Sequence, residues 1–508
     1  MDNSTSGLRK KRILILGGGT AGWMTAALMV KGLKEQVELT LIESEQIGII
    51  GVGEGSTPKM RRLFTTLGIP ESSWMPKCNA TYKCGIRFPN WSTRKGFKSY
   101  YHPFFSNSDD ASIRAFYQNA TIRSKRFDVH AHPDSFFVSN FLAKNMRAPL
   151  PDETTDYKTD YAYHFDAVGI GQVLKEFATN LGVKHITDTV EEVLQGENGE
   201  ISSVRSKEVG LTEADFFVDC TGFSSHLICK TLEVPFISYK KMLFNDKAVA
   251  MPTPLPNEET LPCQTISTAA KFGWIWNIPL KNRFGNGYVY SSDFLDESSA
   301  EEELRDHLGM LESSTEARHL KMRVGRLSRC WEKNCLAVGL SQGFIEPLEA
   351  TALMVVQDTV EIFIDNFKKG GLTNQYSKQA NDKVNLIFDG IKNYIVTHYK
   401  LNSRTDTDYW VANRDNVHVS EELKAIIDTW DKGGDLLSEL RAQAATQVYS
   451  PTSWYCILAG MGRFPRNLKK PKKKFEIYDH KISVRLCEEM MGLFPDHRST
   501  IHNFRLSN

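Results

Sequence analysis

Gly17-Gly18-Gly19-Thr20-Ala21-Gly22 fits the spacing G-x-G-x-x-G, and the chemistry of that spacing is a phosphate cradle. Gly17 permits the tight turn, Gly19 removes a side chain where a pyrophosphate would approach, and Gly22 lets a helix pack close on a strand. Thr20 and Ala21 lie between these glycines ahead of that helix, whose free N–H groups and positive dipole end favour an anion. Glu43 follows about twenty residues after the glycines, where a carboxylate can take ribose hydroxyls.

Three further stretches belong with this cradle. The loop Gly48-Ile49-Ile50-Gly51-Val52-Gly53-Glu54-Gly55-Ser56-Thr57-Pro58 is too rich in glycine for a helix interior. It reads as a wrap around a cofactor, with Gly51, Gly53 and Glu54 facing it; the alternative is a plain surface loop. Residues 216–223 read as a buried strand running into a glycine turn, with Asp219 and Gly222 closing over a second part of the same cofactor. Residues 335–352 read as strand, polar loop and helix start, and the backbone at Thr351-Ala352 can hold an anion.

Other candidates are ambiguous by composition. Residues 79–88 alternate and read as a strand, with Lys83 among apolar neighbours, where a solvated lysine is the ordinary reading. Tyr100-Tyr101-His102-Pro103-Phe104-Phe105 is a core cluster or an aromatic substrate wall. Trp274 and Trp276, two apart on a strand, place two large rings on one face; core filling is the generic alternative. Trp454 lies in an apolar, aromatic segment, 453–462.

The elements that must position these residues follow from periodicity. The run 13–16 is apolar without alternation, as a strand buried on both faces of a parallel sheet should be. A helix over 23–34 and a strand over 37–42 complete a Rossmann-like βαβ unit. A second αβ pattern follows: a helix over 168–181, a strand over 183–186, and a hairpin of 190–194 with 201–206 around Asn198-Gly199. This unit reads as the remainder of a two-dinucleotide-fold flavoprotein of monooxygenase type. Strands over 244–253 and 265–290 form a mixed, substrate-facing sheet at about 240–330. Residues 106–159 read as polar and irregular with short helical pieces. A helix spans about 353–367, and the last 130 residues are mostly helical, including 384–399 and 420–429. The expected organisation is a disordered lead-in (1–10), an α/β domain (11–375), and a helical C-terminal region (376–508) closing the substrate site.

The whole chain sets outer limits. Its 508 residues suit two or three structural units. With 41% hydrophobic and 24% charged residues it reads as globular, and a net charge of +1 gives no global field for nucleic acid. No apolar run approaches membrane-spanning length, and residues 1–12 lack the apolar core of a signal peptide. Nine scattered cysteines without a C-x-x-C imply reduced thiols in a cytoplasmic protein, and Cys330 and Cys335 are too isolated for a metal site, so no metal is expected. The basic run 469–474 reads as solvated surface. A homo-oligomer stays open.

Taken together, GGGTAGW at 17–23, GVGEGSTP at 51–58, ATYKCGIRF at 80–88, GWIWNIP at 273–279 and GFIEPLEAT at 343–351 give a chain that resembles the flavin-dependent halogenases of the tryptophan halogenase family. The resemblance covers nearly the whole chain. It implies FAD, delivered as FADH2 by a separate flavin reductase because no second complete G-x-G-x-x-G is present. It implies a halide ion (chloride, bromide or iodide) near Thr351 and Ala352, and hypohalous acid made from halide and oxygen. Trp274 and Trp276 would keep substrate from the flavin while the oxidant travels a tunnel to Lys83. Lys83 would hold it by hydrogen bond or as a haloamine, and Glu349 would help polarise it or take the ring proton. The resemblance thereby reverses the solvated reading of Lys83, since a desolvated lysine becomes a nucleophile. It also places His102, Phe104 and Trp454, with Tyr449 as an alternative to Trp454, at an aromatic substrate pocket.

Two departures matter. Ala350-Thr351-Ala352 stands where tryptophan-specific members have Ser-Thr-Gly, which leaves halide preference open. Residues 440–455 contain no Asp or Glu to meet a substrate amino group, so an indole, a phenol or another electron-rich aromatic is expected rather than free tryptophan. The rival readings are an FAD-dependent aromatic hydroxylase on the same scaffold and a flavin-binding protein that has lost catalysis.

Overall fold

Strand Lys11–Leu16 lies inside a six-stranded sheet whose order is Trp331–Glu332, Cys335–Ala337, Phe216–Asp219, Lys11–Leu16, Val37–Glu43, Lys184–Thr187. All neighbours run parallel except the edge strand Trp331–Glu332. Ile13 and Ile15 enter one hydrophobic core, and Leu14 and Leu16 enter another on the opposite face. That two-sided burial is why the run shows no polar alternation. Helix Thr20–Leu33 makes the crossover to Val37–Glu43. The computed structural model describes residues 9–45, 53–255, 259–443, 448–466, 468–469, 472 and 474–504. Gly51, most of the lead-in 1–10 and part of the basic run 469–474 lie outside the described residues.

The second αβ unit follows the expected pattern. Helix Ala167–Asn180 leads to the edge strand Lys184–Thr187, and Val190–Gln195 pairs antiparallel with Ile201–Ser206 across a turn where Gly199 takes φ +68°.

The sheet expected at about 240–330 is larger than periodicity indicated. It has seven strands, ordered Arg318–Lys321, Lys247–Thr253, Phe284–Tyr290, Gly273–Pro279, Thr265–Ala269, Gly85–Pro89, Ser99–Pro103. The run 265–290 is three strands. Two of the seven come from before residue 104, so the sheet is not confined to 240–330. The reason lies at Cys84. The alternating stretch 79–88 is two strands, Thr81–Lys83 and Gly85–Pro89, and they belong to different sheets. Thr81–Lys83 pairs with Ala162–Asp166, which pairs in turn with Gly53–Gly55. The small sheet touches the large one backbone to backbone, for a Cβ at Gly285 would lie 3.1 Å from the Gly53 Cα.

The stretch 106–159 holds a fifteen-residue helix, Asp110–Ser124. Its buried face includes Asn119 and Ser124, and Asn119 Nδ2 donates to the His130 and Tyr478 carbonyls at 2.9 Å each. Polar residues on the buried face hide the helical period from a hydropathy reading.

The C-terminal region is helical, as expected. Ala352–Lys369 packs on Thr20–Leu33, where Gly32 faces Ile364. Ser377–Leu401 and Pro451–Gly460 carry almost wholly buried turns toward the large sheet. Among the described residues no helix is long and apolar enough to cross a membrane, and no cluster of His, Cys, Asp or Glu could hold a metal ion.

Candidate active site

The cradle is shaped by steric demand. Gly17 has φ +110°, and a Cβ there would meet the Cys220 carbonyl oxygen at 2.2 Å. A Cβ at Gly22 would lie 1.9 Å from the Gly17 oxygen. Gly19 is different: no atom lies within 4 Å of its absent Cβ. It is the N-cap of Thr20–Leu33, and no side chain caps that end. Open space in front of uncapped N–H groups is what a pyrophosphate needs, so the residues present fit FAD. Gly339, which periodicity did not single out, brings the strand end at Cys335–Ala337 against this turn, with its absent Cβ 2.8 Å from the Ala21 Cβ.

Glu43 is half-buried over Gly18. It accepts from Lys175 Nζ at 2.9 Å, and His185 Nε2 lies 2.7 Å away, so a ribose would join an existing ion pair. Asp219 has a structural task. Its oxygens accept from Thr221 N and Oγ1, Leu227 N, Ile228 N and Ser341 Oγ at 2.7–3.0 Å. That carboxylate is committed to its own chain, while the turn at Gly222, φ +67°, has no atom within 4 Å of its absent Cβ. Glu54 is half-buried, and burial followed by the charge of Asp166 pushes its carboxyl up to about 7.

Lys83 is fully buried. Its Nζ donates to the Ser56 carbonyl at 3.0 Å and lies 5.5 Å from the Phe104 ring centroid. Burial pushes its amine down to about 7, and the charge of Glu349 opposes that only in part. The solvated reading of Lys83 is thus overturned by the geometry itself.

Glu349 is buried between two histidines. His102 Nδ1 donates to its carboxylate at 2.9 Å, and His398 Nε2 lies 3.2 Å from Oε1. Burial would raise this carboxyl, but His102 foremost and then His398 outweigh it and hold it down at about 2. His398 and Tyr394 stand four apart on Ser377–Leu401, on one face of the helix. That i, i+4 spacing was the sequence signal for them, and it was missed because a buried helix offers many such pairs.

The aromatic cluster lies beside this carboxylate. His102 Nε2 is 2.9 Å from Ser453 Oγ, Tyr394 stacks on Tyr449 at 3.7 Å, and Trp454 meets Tyr394 edge-on at 5.1 Å. His102 and Trp454 are buried and Phe104 is half-buried. Trp274 and Trp276 share a face with centroids 6.2 Å apart. Trp276 lies across its cross-strand partner Gly287, whose Cβ would sit 2.2 Å from the indole. Trp274 Nε1 donates to Glu346 Oε2 at 2.7 Å. Thr351 is the N-cap of Ala352–Lys369 with no side-chain cap, Ala352 is exposed, and Ala350 holds φ +57°.

A dinucleotide cradle, a buried lysine beside a buried carboxylate, and a paired-tryptophan wall on one α/β scaffold define a flavin-dependent halogenase. Comparison with known proteins agrees. The tryptophan halogenase family model matches residues 12–476. Tryptophan 6-halogenase SttH of Streptomyces toxytricini is 38% identical over 82% of this chain and 83% of its own. Tryptophan 7-halogenase RebH of Lentzea aerocolonigenes is 33% identical over 89% and 90%. The SttH crystal structure superposes with a TM-score of 0.86 at 34% identity, covering 97% of this chain and all of that one. BrvH, a flavin-dependent halogenase from Brevundimonas sp. BAL3, gives 0.84 at 30% identity over 98% and 99%. The chain belongs to the tryptophan halogenase family.

Proposed function

We propose that this enzyme halogenates an electron-rich aromatic, an indole or phenol rather than free tryptophan, with Lys83 as the terminal holder of hypohalous acid. The observation that carries the reading is Lys83 itself, fully buried and pushed down to about 7 beside Glu349. Bound FAD, reduced by a separate reductase, supplies the oxidising chemistry that turns oxygen and halide into hypohalous acid. The cradle at Gly17–Gly22 and the segment at Gly53 and Glu54 hold the dinucleotide. The uncapped helix start at Thr351-Ala352 offers N–H groups to the halide.

Near neutral pH both forms of Lys83 are populated. The ammonium donates a hydrogen bond to the oxidant; the free amine attacks the halogen, forming N–X as the X–O bond breaks, and the hydroxide leaves as water with the amine proton. Either way the halogen is delivered at one fixed point. The ring carbon then gains halogen and must lose its proton. Glu349 stays ionised between His102 and His398 and receives that proton; a halogenated ring cation is acidic enough for so weak a base. Trp274 and Trp276 keep substrate away from the flavin in this reading, which disfavours direct hydroxylation. The absence of any acid in 440–455 supports a substrate without an amino group to be paired.

The test supplies FAD, NADH, a flavin reductase, a panel of indoles and phenols, and chloride, bromide or iodide in parallel. Mass spectrometry follows the products. Halogenated product that vanishes in Lys83→Ala, with flavin affinity intact, is expected. Hydroxylated product, or halogenation unchanged in Lys83→Ala, overturns the reading in favour of the hydroxylase or of untargeted oxidant release.

A further inference from the structure

Lys83 stands where the chain leaves one sheet for another. On one edge Thr81–Lys83 pairs with Ala162–Asp166, and Tyr82 lies opposite Tyr163. On the other edge the chain beyond Lys83 runs parallel to the segment that leads into Thr265–Ala269. Cys84 N donates to the Cys263 carbonyl at 2.8 Å, and Ile86 pairs with Thr265. A parallel ladder advances by two residues on both strands from one such bond to the next. Two residues back from Cys84 and Cys263, the next bond would join Tyr82 N to the Leu261 carbonyl. An imidazole stands there instead. Tyr82 N donates to His497 Nε2 at 3.1 Å, and His497 Nδ1 donates to the Leu261 carbonyl at 2.8 Å. Two hydrogen bonds and a ring thus fill a place where a ladder has one bond of about 2.9 Å.

The direction of both bonds is fixed. The Leu261 carbonyl can only accept, so Nδ1 carries the proton; the Tyr82 amide can only donate, so Nε2 is bare. His497 is wholly buried and neutral, and burial foremost pushes it down to about 4. It opens the short helix His497–Asn503, so the C-terminal segment delivers the ring. That segment is anchored: His497 N donates to the Met146 carbonyl at 2.9 Å, and Arg498 Nη1 donates to the Lys281 carbonyl at 3.0 Å. The small sheet is tied as well. Ser56 N and Oγ donate to the Tyr163 carbonyl at 2.9 and 3.1 Å, and Tyr163 N donates to Ser56 Oγ at 3.1 Å. The Ser56 carbonyl is the one that receives Lys83 Nζ. The amine's partner therefore belongs to the small sheet, and a strand drawn across to Leu261 would carry Lys83 away from it.

We propose that His497 is a positioning residue of the halogenation: its ring is a wedge that keeps Thr81–Lys83 off the large sheet and so sets where the Lys83 amine stands. The proposal rests on the reading of Lys83 as the end of the oxidant's path. His497 touches neither oxidant nor substrate in it and acts through the backbone of Tyr82. Without the ring, the Tyr82 amide and the Leu261 carbonyl are buried and unpaired, and they can be satisfied by meeting each other. That closure moves the strand by the depth of a ring, and displacements on that scale misplace a reacting group.

The test uses the full chain with FAD and a reductase and follows two products, the halogenated aromatic and a halogenated diffusible scavenger. A merely structural role lowers both together as the fold weakens, so the readout is their ratio. In His497→Ala the ratio of aromatic to scavenger product is expected to fall by about tenfold or more, with FAD affinity unchanged. His497→Gln, whose amide can accept from Tyr82 and donate to Leu261, keeps the parent ratio. Where His497→Ala folds poorly, His497→Phe carries the test. It keeps a ring between the strands without either bond, so it should melt lower yet retain the parent ratio. An unchanged ratio in a folded His497→Ala, or a ratio in His497→Phe that falls along with its melting point, overturns the proposal. Either result beside an inactive Lys83→Ala sinks the wedge and leaves the lysine reading standing, whereas halogenation unchanged in Lys83→Ala sinks the lysine reading itself.

Discussion

Trp274 is held by Glu346: the indole Nε1 donates to Glu346 Oε2 at 2.7 Å in a buried site. Asn245 Nδ2 at 3.0 Å and Tyr399 Oη at 2.5 Å donate to that same oxygen. Oε1 finds no partner among the described residues. Burial pushes the Glu346 carboxyl above the usual carboxylate range, and the three donors on Oε2, which favour the charged form, oppose that only in part. The tryptophan wall and the Glu349 site are therefore tied together through one loop, in which burial shifts the Glu346 carboxyl up while the two histidines hold Glu349 down.

Because burial disfavours the charged form of Glu346, its uncharged amide tests the shift. Glu346→Gln is expected to keep halogenation and to melt within about 1 kcal/mol of the parent, whereas Glu346→Ala leaves buried donors unpaired at about 1–3 kcal/mol. The pH dependence has a definite sign. A raised folded value means the folded chain binds more protons, so this group's stabilisation is complete below the ordinary 4.5 and is lost as pH rises toward the folded value. Thermal melts from pH 4 upward should show the parent losing ground to Glu346→Gln. Parallel curves would mean that folding does not shift the Glu346 carboxyl.

Lys83 carries the opposite liability. Its amine falls from 10.5 to about 7 on folding. The unfolded chain binds the extra proton between those values, so stability rises with pH across that window. At and below about pH 7 the buried ammonium costs several kcal/mol, on the order of 1.4 per unit of displacement. Lys83→Met should therefore be the more stable protein near neutrality, with the advantage shrinking toward pH 10. Paired melts at pH 6, 8 and 10 check this. A lysine variant less stable than the parent at pH 6 would mean that Lys83 is solvated after all.

His398 is expected to act through Glu349. Its Nδ1 faces the Tyr394 carbonyl at 3.1 Å and its Nε2 faces Glu349 Oε1 at 3.2 Å; both oxygens only accept, so His398 supports Glu349 when both ring nitrogens carry a proton. In His398→Leu that support is gone, and the Glu349 carboxyl should rise from about 2. The acid limb of the halogenation pH profile should then move up by about one unit. An unmoved limb would show that His102 alone keeps Glu349 ionised.

How much of this was legible depended on the kind of signal. The βαβ unit was, because Ile13 to Leu16 bury on both faces and leave a continuous apolar run. The lysine was not, because burial of a charge has no local pattern; a single strand reading of 79–88 hid the break at Cys84 that sends Thr81–Lys83 into its own sheet. The residues that hold Glu349 come from positions 102 and 398, far apart in sequence, and only the packing of Ser377–Leu401 brings them together. Asp219 shows the reverse case. A carboxylate at a strand end looks like a ligand group, yet here the amides of Leu227 and Ile228 consume it.

The cradle's two glycines should separate folding from cofactor binding. At Gly17 a methyl would meet the Cys220 carbonyl oxygen at 2.2 Å, on backbone that cannot step aside, and φ is +110°. Gly17→Ala is therefore expected to lose roughly 1–3 kcal/mol or more of stability, cofactor present or not. At Gly19 the added methyl meets nothing within 4 Å and the residue has φ −70°, which alanine adopts freely. Gly19→Ala should melt with the parent in the absence of FAD. Its methyl would stand in the open space before the N-terminus of Thr20–Leu33, where the pyrophosphate must approach. Flavin affinity should then fall by about tenfold or more, read by titration of FAD fluorescence. Unchanged affinity in Gly19→Ala would place the pyrophosphate away from this helix end, and the cofactor reading of the entire N-terminal unit would have to move with it.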